Sequence, residues 1–209
     1  MTSHKGRRRA LITGLGAAAA ATIGARPARA QAASPYAPAR HADDAWMGAM
    51  PGKHRVVLDV TTLAGVPDGI RFAGNLFGGN QSGYGLGDAE LAFIVCLRHS
   101  ATAYGYDAGV WSKYGRILDS KATPPPVANP FNSGERMQLS ALAKRGVRFM
   151  VCGTASRRIA ARLAGTGGDA DAVFKEISAN LIPNARIVSA GVVGVTRAQE
   201  YGFSYLFVG

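Results

Sequence analysis

Apolar residues recur along this chain in two alternating patterns, short continuous runs and longer segments with helical spacing. The run Arg55-Val56-Val57-Leu58-Asp59-Val60 is rich in β-branched residues and apolar on both faces, the pattern of a buried parallel strand. After a turn at Ala64 to Asp68, where Pro67 suits a first helical turn, Ile70, Phe72, Ala73, Leu76 and Phe77 share one helical face over Gly69 to Phe77. Glu90 to Leu97 predicts a second strand. Ser133 starts an amphipathic helix to Arg145 that buries Met137, Leu139 or Ser140, Leu142 and Ala143, and Gly146 ends it. Val147 to Val151 predicts a third strand, and an Ala- and Arg-rich helix begins within three residues of Cys152. Ala172, Val173, Ile177 and Leu181 then set a helix over Ala170 to Leu181, with Asp169 and Asp171 at its amino end. Ala185 to Ala190 is a fourth strand, Val193 to Tyr201 a short helix, and Phe203 to Val208 a fifth strand. Alternating strand and helix argues for a parallel sheet with helices on both faces and right-handed crossovers.

Three stretches interrupt the alternation. Gly78 to Gly87 holds five glycines but lies after a helix and before a strand, so it reads as a flexible connection and not as a phosphate-cradling loop. Ala103 to Tyr114 brings Tyr104, Tyr106, Trp111 and Tyr114 together, aromatics that suit either a pocket mouth or a covered sheet face or interface. Pro124-Pro125-Pro126 makes residues 119–132 a long loop and a candidate lid.

The amino terminus changes the picture of charge. Lys5, Arg7, Arg8, Arg9, Arg26 and Arg29 flank the apolar run Ala10 to Ala25, the organisation of an export signal. Arg8-Arg9-Ala10-Leu11-Ile12 matches the twin-arginine pattern, which predicts use of the twin-arginine translocase and a periplasmic protein. Ala28-Arg29-Ala30 offers cleavage after Ala30. The whole chain carries a net charge of +11, yet removing residues 1–30 takes away six basic residues and no acids, leaving 18 basic against 13 acidic residues, or +5. The basicity is thus largely a property of the signal, and nucleic acid is not an expected partner. Residues 31–53 read as a flexible leader that Trp46, Met47 and Met50 would pin, and residues 54–209 as one domain.

The chemistry concentrates at strand ends. Cys152 sits at a strand-to-helix corner beside Gly153, where a helix amino terminus with Arg157 and Arg158 favours thiolate over thiol. Cys96, Arg98 and His99 end the second strand. The Cys96-x-x-His99 spacing can chelate a metal, but two ligands fall short of a structural zinc site. If the two cysteines follow non-adjacent strands, the distance forbids a disulfide. Were His99 to approach Cys152, it would serve sulfur chemistry as a proton donor or acceptor, or ligate haem.

Several of these residues carry a resemblance. Lys144-Arg145-Gly146-Val147 before a strand, Val151-Cys152, Ala155 and Arg157-Arg158 at its end, Leu181 and Pro183 before Ile187-Val188, Ala190-Gly191-Val192, and Tyr201-Gly202-Phe203 before the last strand resemble the DsrE/DsrF-like sulfur-relay family. The resemblance covers roughly Arg55 to Val208. It implies a three-layer α/β/α domain with a five-stranded, mainly parallel sheet that assembles as trimers or hexamers. It further implies that Cys152 accepts a persulfide from a sulfur donor and yields it to an acceptor. The export signal and the length of Arg98 to Pro130 depart from the family pattern. The alternative on the same fold is a non-catalytic module holding a small ligand or haem in a pocket of Cys96, Arg98, His99, Trp111 and Cys152, or an oligomeric scaffold.

Overall fold

A computed structural model describes residues 37–132 and 138–209. The chain divides into two compact units, and the fold is that of the second, Pro38–Gly209. The export signal, the leader up to residue 36, and the expected helix start at Ser133 with Arg136 and Met137 lie outside the described residues.

Among the described residues five strands form one all-parallel sheet: β1 (His54–Val60), β2 (Leu91–Leu97), β3 (Arg148–Cys152), β4 (Ala185–Val188) and β5 (Ser204–Val208), in the order β4-β3-β2-β1-β5. The helices are α1 (Ala45–Gly48), α2 (Gly65–Tyr84), α3 (Ala108–Leu118), α4 (Leu139–Lys144), α5 (Gly153–Ala164), α6 (Ala170–Ala179) and α7 (Gly191–Glu200). The expected three-layer α/β/α arrangement with five strands is the arrangement found. From β1 to β4 the chain steps in one direction across the sheet, and its connecting helices pack on one face. There Leu58, Val60, Phe93, Val95, Leu97, Phe149 and Val151 meet Ile70 and Phe77 of α2, Trp111 of α3, Leu142 of α4, Ile159 of α5 and Ile177 of α6. From β4 to β5 the chain must cross back over β3, β2 and β1. A right-handed crossover in that reversed direction passes over the opposite face. Val195 and Ala198 of α7 accordingly pack on Val57, Ile94, Cys96 and Met150.

Alternation along β1, β2 and β3 explains why each strand looks apolar throughout: both faces are covered, so odd and even positions are both buried. The second face is only partly covered by α7. Met47 and Met50 fill the remainder, 0% and 7% exposed, and Arg55 fastens this segment by donating to the carbonyls of Met47 at 3.0 Å and Met50 at 2.8 Å. The compact unit begins at Pro38, so residues 38–53 belong to it, with Met47 and Met50 in its core.

Two expected loops take other forms. The glycine-rich stretch is the last turns of α2, where Gly78, Gly79 and Gly83 lie on the exposed side and helical propensity is overridden by Phe77 and its buried neighbours in the same helix. Gly85, at φ 68°, ends it in the left-handed conformation that only glycine adopts at low cost. The proline-rich loop is pinned: Asn129, 1% exposed, donates through Nδ2 to the carbonyls of Tyr104 at 2.8 Å and Tyr106 at 3.0 Å.

Truncating Met47 tests the inclusion of the amino-terminal segment. Met47→Ala is expected to lower stability by about 2–5 kcal/mol, as for a buried Met, read as a lower urea midpoint. An unchanged midpoint would place the segment outside the cooperative core.

Candidate functional site

The reversal after β4 creates the site. β3 feeds α5 to one face and the neighbouring β4 feeds α7 to the other, so the amino ends of α5 and α7 part company above the carboxyl ends of these two strands. In open parallel sheets such a switch point leaves a crevice. Cys152, the last residue of β3, forms its floor.

Cys152 is the N-cap of α5, and its Sγ accepts an N–H from Ala155 at 3.5 Å. The same sulfur accepts the Gly191 N–H, at the start of α7, at 3.2 Å. Helix amino ends present unpaired donors and positive potential, and two of them meet at one sulfur here. Glycine is required at both helix starts. A Cβ at Gly153 would lie 2.6 Å from the Val188 carbonyl oxygen, and one at Gly191 would lie 2.6 Å from Arg98 Cβ. The other end of Gly191 receives the second thiol, since Cys96 Sγ donates to its carbonyl at 3.6 Å.

Above the sulfur is a cavity of about 120 Å³ lined by Arg98, His99, Cys152, Thr154, Ala155, Arg158, Ala190, Gly191 and Val192. Cys152 is 7% exposed through it. Arg158 has no carboxylate partner among the described residues, so its charge is available to a ligand. Arg98 is committed: its guanidinium grips both oxygens of Asp59, at 2.6 and 2.8 Å, and the hydrogen bond to that carboxylate pushes the Arg98 pKa up. Asp59 is 1% exposed and also accepts the Tyr205 hydroxyl at 2.9 Å. Burial, and then this bond to Asp59, push the Tyr205 pKa up.

Four of the residues expected at the pocket lie elsewhere. Gly153 is packed against the Val188 carbonyl at the start of α5 and is not among the cavity walls. Cys96 is fully buried on β2 behind Gly191, and burial pushes its thiol pKa up. Trp111 is fully buried in the opposite layer, stacked on Tyr104 with its Nε1 donating to Ala103, because the aromatic run packs beneath α5 and does not open a mouth. Arg157 points away and lies 4.0 Å over the Phe174 ring, holding α5 to α6. Residues 119–132 contribute nothing to the cavity walls, so the lid expectation fails as well.

The cysteines lie on adjacent strands, so separation by an intervening strand is not what keeps them apart. β2 and β3 are neighbours, and Cys96 pairs with Met150, two residues before Cys152 on the same face. Strand spacing and rise then set the two Cα atoms about 8 Å apart, beyond the roughly 7 Å a disulfide spans. Both thiols are free. Cys96 is fully buried with its thiol on the Gly191 carbonyl while His99 lines the cavity, and among the described residues no group of three or more His, Cys, Asp or Glu is placed to hold a metal ion.

Sequence reasoning missed Gly191, Asp59 and Tyr205. Asp59 had a readable signal, a carboxylate inside an otherwise apolar strand; Gly191 had none, because its role depends on β4 lying beside β3. A larger cleft of about 660 Å³ lies between residues 41–46, β4 and α7, with His41, Asp43, Asp44, Arg186 and Arg197 on its walls. It contains charges of both signs and no cysteine.

The unequal settings of the thiols predict unequal chemistry. Iodoacetamide should label Cys152 on the order of tenfold faster than Cys96 in the folded protein, with the difference lost in denaturant, as peptide mass mapping would read. Equal rates in the folded protein would refute the cavity as an access route.

No protein-family model matches the chain, and no curated protein does. Among solved structures the chain is similar to a protein of unknown function, MTH1491 from Methanobacterium thermoautotrophicum, at 19% identity over 74% of this chain and 99% of that one, with a TM-score of 0.43.

Proposed function

We propose that this protein accepts and passes on sulfane sulfur through Cys152, as an exported, DsrE/DsrF-like sulfur-relay protein of the periplasm. The observation that carries this reading is the setting of the Cys152 sulfur, which accepts two backbone N–H groups from two helix starts while facing a small cavity. Donors fixed in this way stabilise negative charge where a thiolate attacks and where a persulfide anion remains.

The chemistry balances without an added oxidant. The Cys152 sulfur attacks the terminal sulfur of a donor persulfide, R–S–S⁻. A new S–S bond forms, the old one breaks, and its electron pair leaves on the donor sulfur. The proton lost by Cys152 ends on that leaving thiolate, giving Cys152–S–S⁻ and R–SH. Transfer to an acceptor thiol repeats the exchange in reverse order. Arg158 is placed to meet the persulfide anion; Arg157, stacked on Phe174, is not.

The cavity size weighs against the alternative. Pockets for drug-sized ligands run to roughly 300–1,000 Å³. The 120 Å³ here accommodates a small inorganic sulfur anion or the tip of a persulfide, and two of the walls that a haem pocket needed, Cys96 and Trp111, are absent from it. The proposed trimers or hexamers draw support from edge strand β5, which leaves Tyr205 and Phe207 on one face at 45% and 56% exposure.

Mass spectrometry after incubation with polysulfide or thiosulfate tests the proposal. The protein is expected to gain the mass of one sulfur atom on the peptide bearing Cys152, reversibly with dithiothreitol, and Cys152→Ser to gain none. An adduct that persists in Cys152→Ser, or no adduct on the unmodified protein, rejects it.

A further inference from the structure

Arg98 stands between a buried carboxylate and an exposed imidazole. Its Nε and Nη2 donate to the two oxygens of Asp59, and its Nη1 lies 2.9 Å from His99 Nε2. A guanidinium carries donors only and keeps its charge inside proteins. The contact is a hydrogen bond only when His99 Nε2 accepts it. A neutral imidazole that accepts at Nε2 carries its proton on Nδ1.

The surroundings hold this arrangement in place. Asp59 anchors the other two arms of the guanidinium and is itself gripped by the Tyr205 hydroxyl. His99 has φ 52°, in the left-handed region, at the first residue of a 3-10 turn spanning His99–Gly105, so the backbone as well as the guanidinium limits where the ring can go. The ring lines the Cys152 cavity, and Nδ1–H has no partner among the described residues.

We infer that the Asp59–Arg98 pair holds His99 as a neutral hydrogen-bond donor, whose Nδ1–H serves the anionic sulfur species in the Cys152 cavity, and not as the base for the Cys152 thiol. The identity of the anion rests on the sulfur-handling reading; the tautomer does not. Both ring nitrogens are committed, Nε2 to the guanidinium and Nδ1 to its own proton. The proton from Cys152 therefore goes to the leaving sulfur or to water, in keeping with the balanced exchange above. His99 and Arg158 then supply a neutral and a charged donor to the same anion, while Arg98, part of the cavity wall but with its guanidinium engaged by Asp59 and His99, acts as a positioning residue.

Nitrogen-15 NMR of the full chain labelled at histidine reads the tautomer directly. His99 is expected to show a protonated Nδ1 and an unprotonated Nε2. Arg98→Lys, which keeps a positive charge for buried Asp59 but has no second arm for the ring, should return His99 to the Nε2–H form common in free histidine. Thiosulfate added to Cys152→Ser, where no transfer can occur, should shift the Nδ1 resonance. In protein retaining Cys152, His99→Asn keeps an N–H donor and His99→Gly removes it, and both tolerate the positive φ. Persulfide formation should stay within about threefold in His99→Asn and fall on the order of tenfold in His99→Gly, the loss expected for removing one partly exposed anion donor. An Nε2–H tautomer in the unmodified protein, an unchanged tautomer in Arg98→Lys, no thiosulfate-dependent shift, or equal rates in the two His99 variants overturns the inference. If the unmodified protein forms no persulfide at all, the sulfur-transfer reading fails, and the tautomer and thiosulfate measurements still decide the role of His99.

Discussion

The handedness of strand crossovers governs the rest of this molecule. Three successive steps from β1 to β4 carry their helices over one face, and the single return step to β5 has to use the other. That one reversal separates the starts of α5 and α7 above two adjacent strands. It also determines that the second face is covered by a single long connection, α7, which leaves room that Met47 and Met50 occupy. A chain with β5 beyond β4 would have placed α7 beside α6, with no crevice above Cys152 and the second face left bare except for the amino-terminal segment.

Close approach at Gly191 turns the crevice into a site. Its N–H reaches Cys152, its carbonyl receives the Cys96 thiol, and its Cα rests against Arg98, so strands β2 and β3 and helix α7 are tied through one residue without a side chain. The two thiols end up with opposite roles. Cys96 is a donor in a fully buried layer, where the protonated form satisfies the one acceptor at hand. Cys152 is an acceptor at the edge of that layer, with solvent reaching it through the cavity. Arg98 completes the wall while its charge is spent on Asp59. Removing that arginine would leave a buried carboxylate uncompensated, a change that typically costs about 3–5 kcal/mol. The pair is thus as much a structural tie between β1 and β2 as a wall of the cavity.

The sheet was legible because burial on both faces writes itself into the strands as continuous apolar runs, at Val56 to Leu58, Ala92 to Leu97 and Phe149 to Val151. The corner at Cys152 was legible for the same reason: the run stops there and a helix pattern begins. What could not be read was adjacency. Cys96 and Cys152 looked distant because nothing in the sequence says that β2 and β3 are neighbours. Gly191 entered only as one residue of Ala190-Gly191-Val192, because its importance comes from Arg98 and Cys152, which are far away in sequence. Trp111 and the tyrosines near it were ambiguous from the start, as large aromatics with polar edges serve a core or a mouth equally well. Here Ala103 and Ser156 satisfy the Trp111 and Tyr106 polar atoms, and the rings fill the core. The paired arginines were misread as a unit. Neighbours on a helix point about 100° apart, so Arg158 can face the cavity only if Arg157 faces α6.

Under the proposed sulfur transfer, the size of the cavity constrains the form in which the donor can arrive. At about 120 Å³ it holds roughly four waters' worth of space, enough for thiosulfate or for a sulfur chain that enters end-on. A thiol buried in the body of a folded partner could not reach Cys152; a persulfide on a projecting loop could. Val192 forms part of the cavity wall and is 54% exposed, and Val193 beside it is 40% exposed. The mouth therefore combines an apolar rim, which costs little to desolvate, with the Arg158 charge and the His99 N–H beside it. Such a rim favours a docked donor that excludes water from the S–S exchange, whereas a freely diffusing anion would draw only on the charge. Changing Val192 should then leave transfer from thiosulfate nearly intact while weakening transfer from a protein persulfide, because only the second buries the rim.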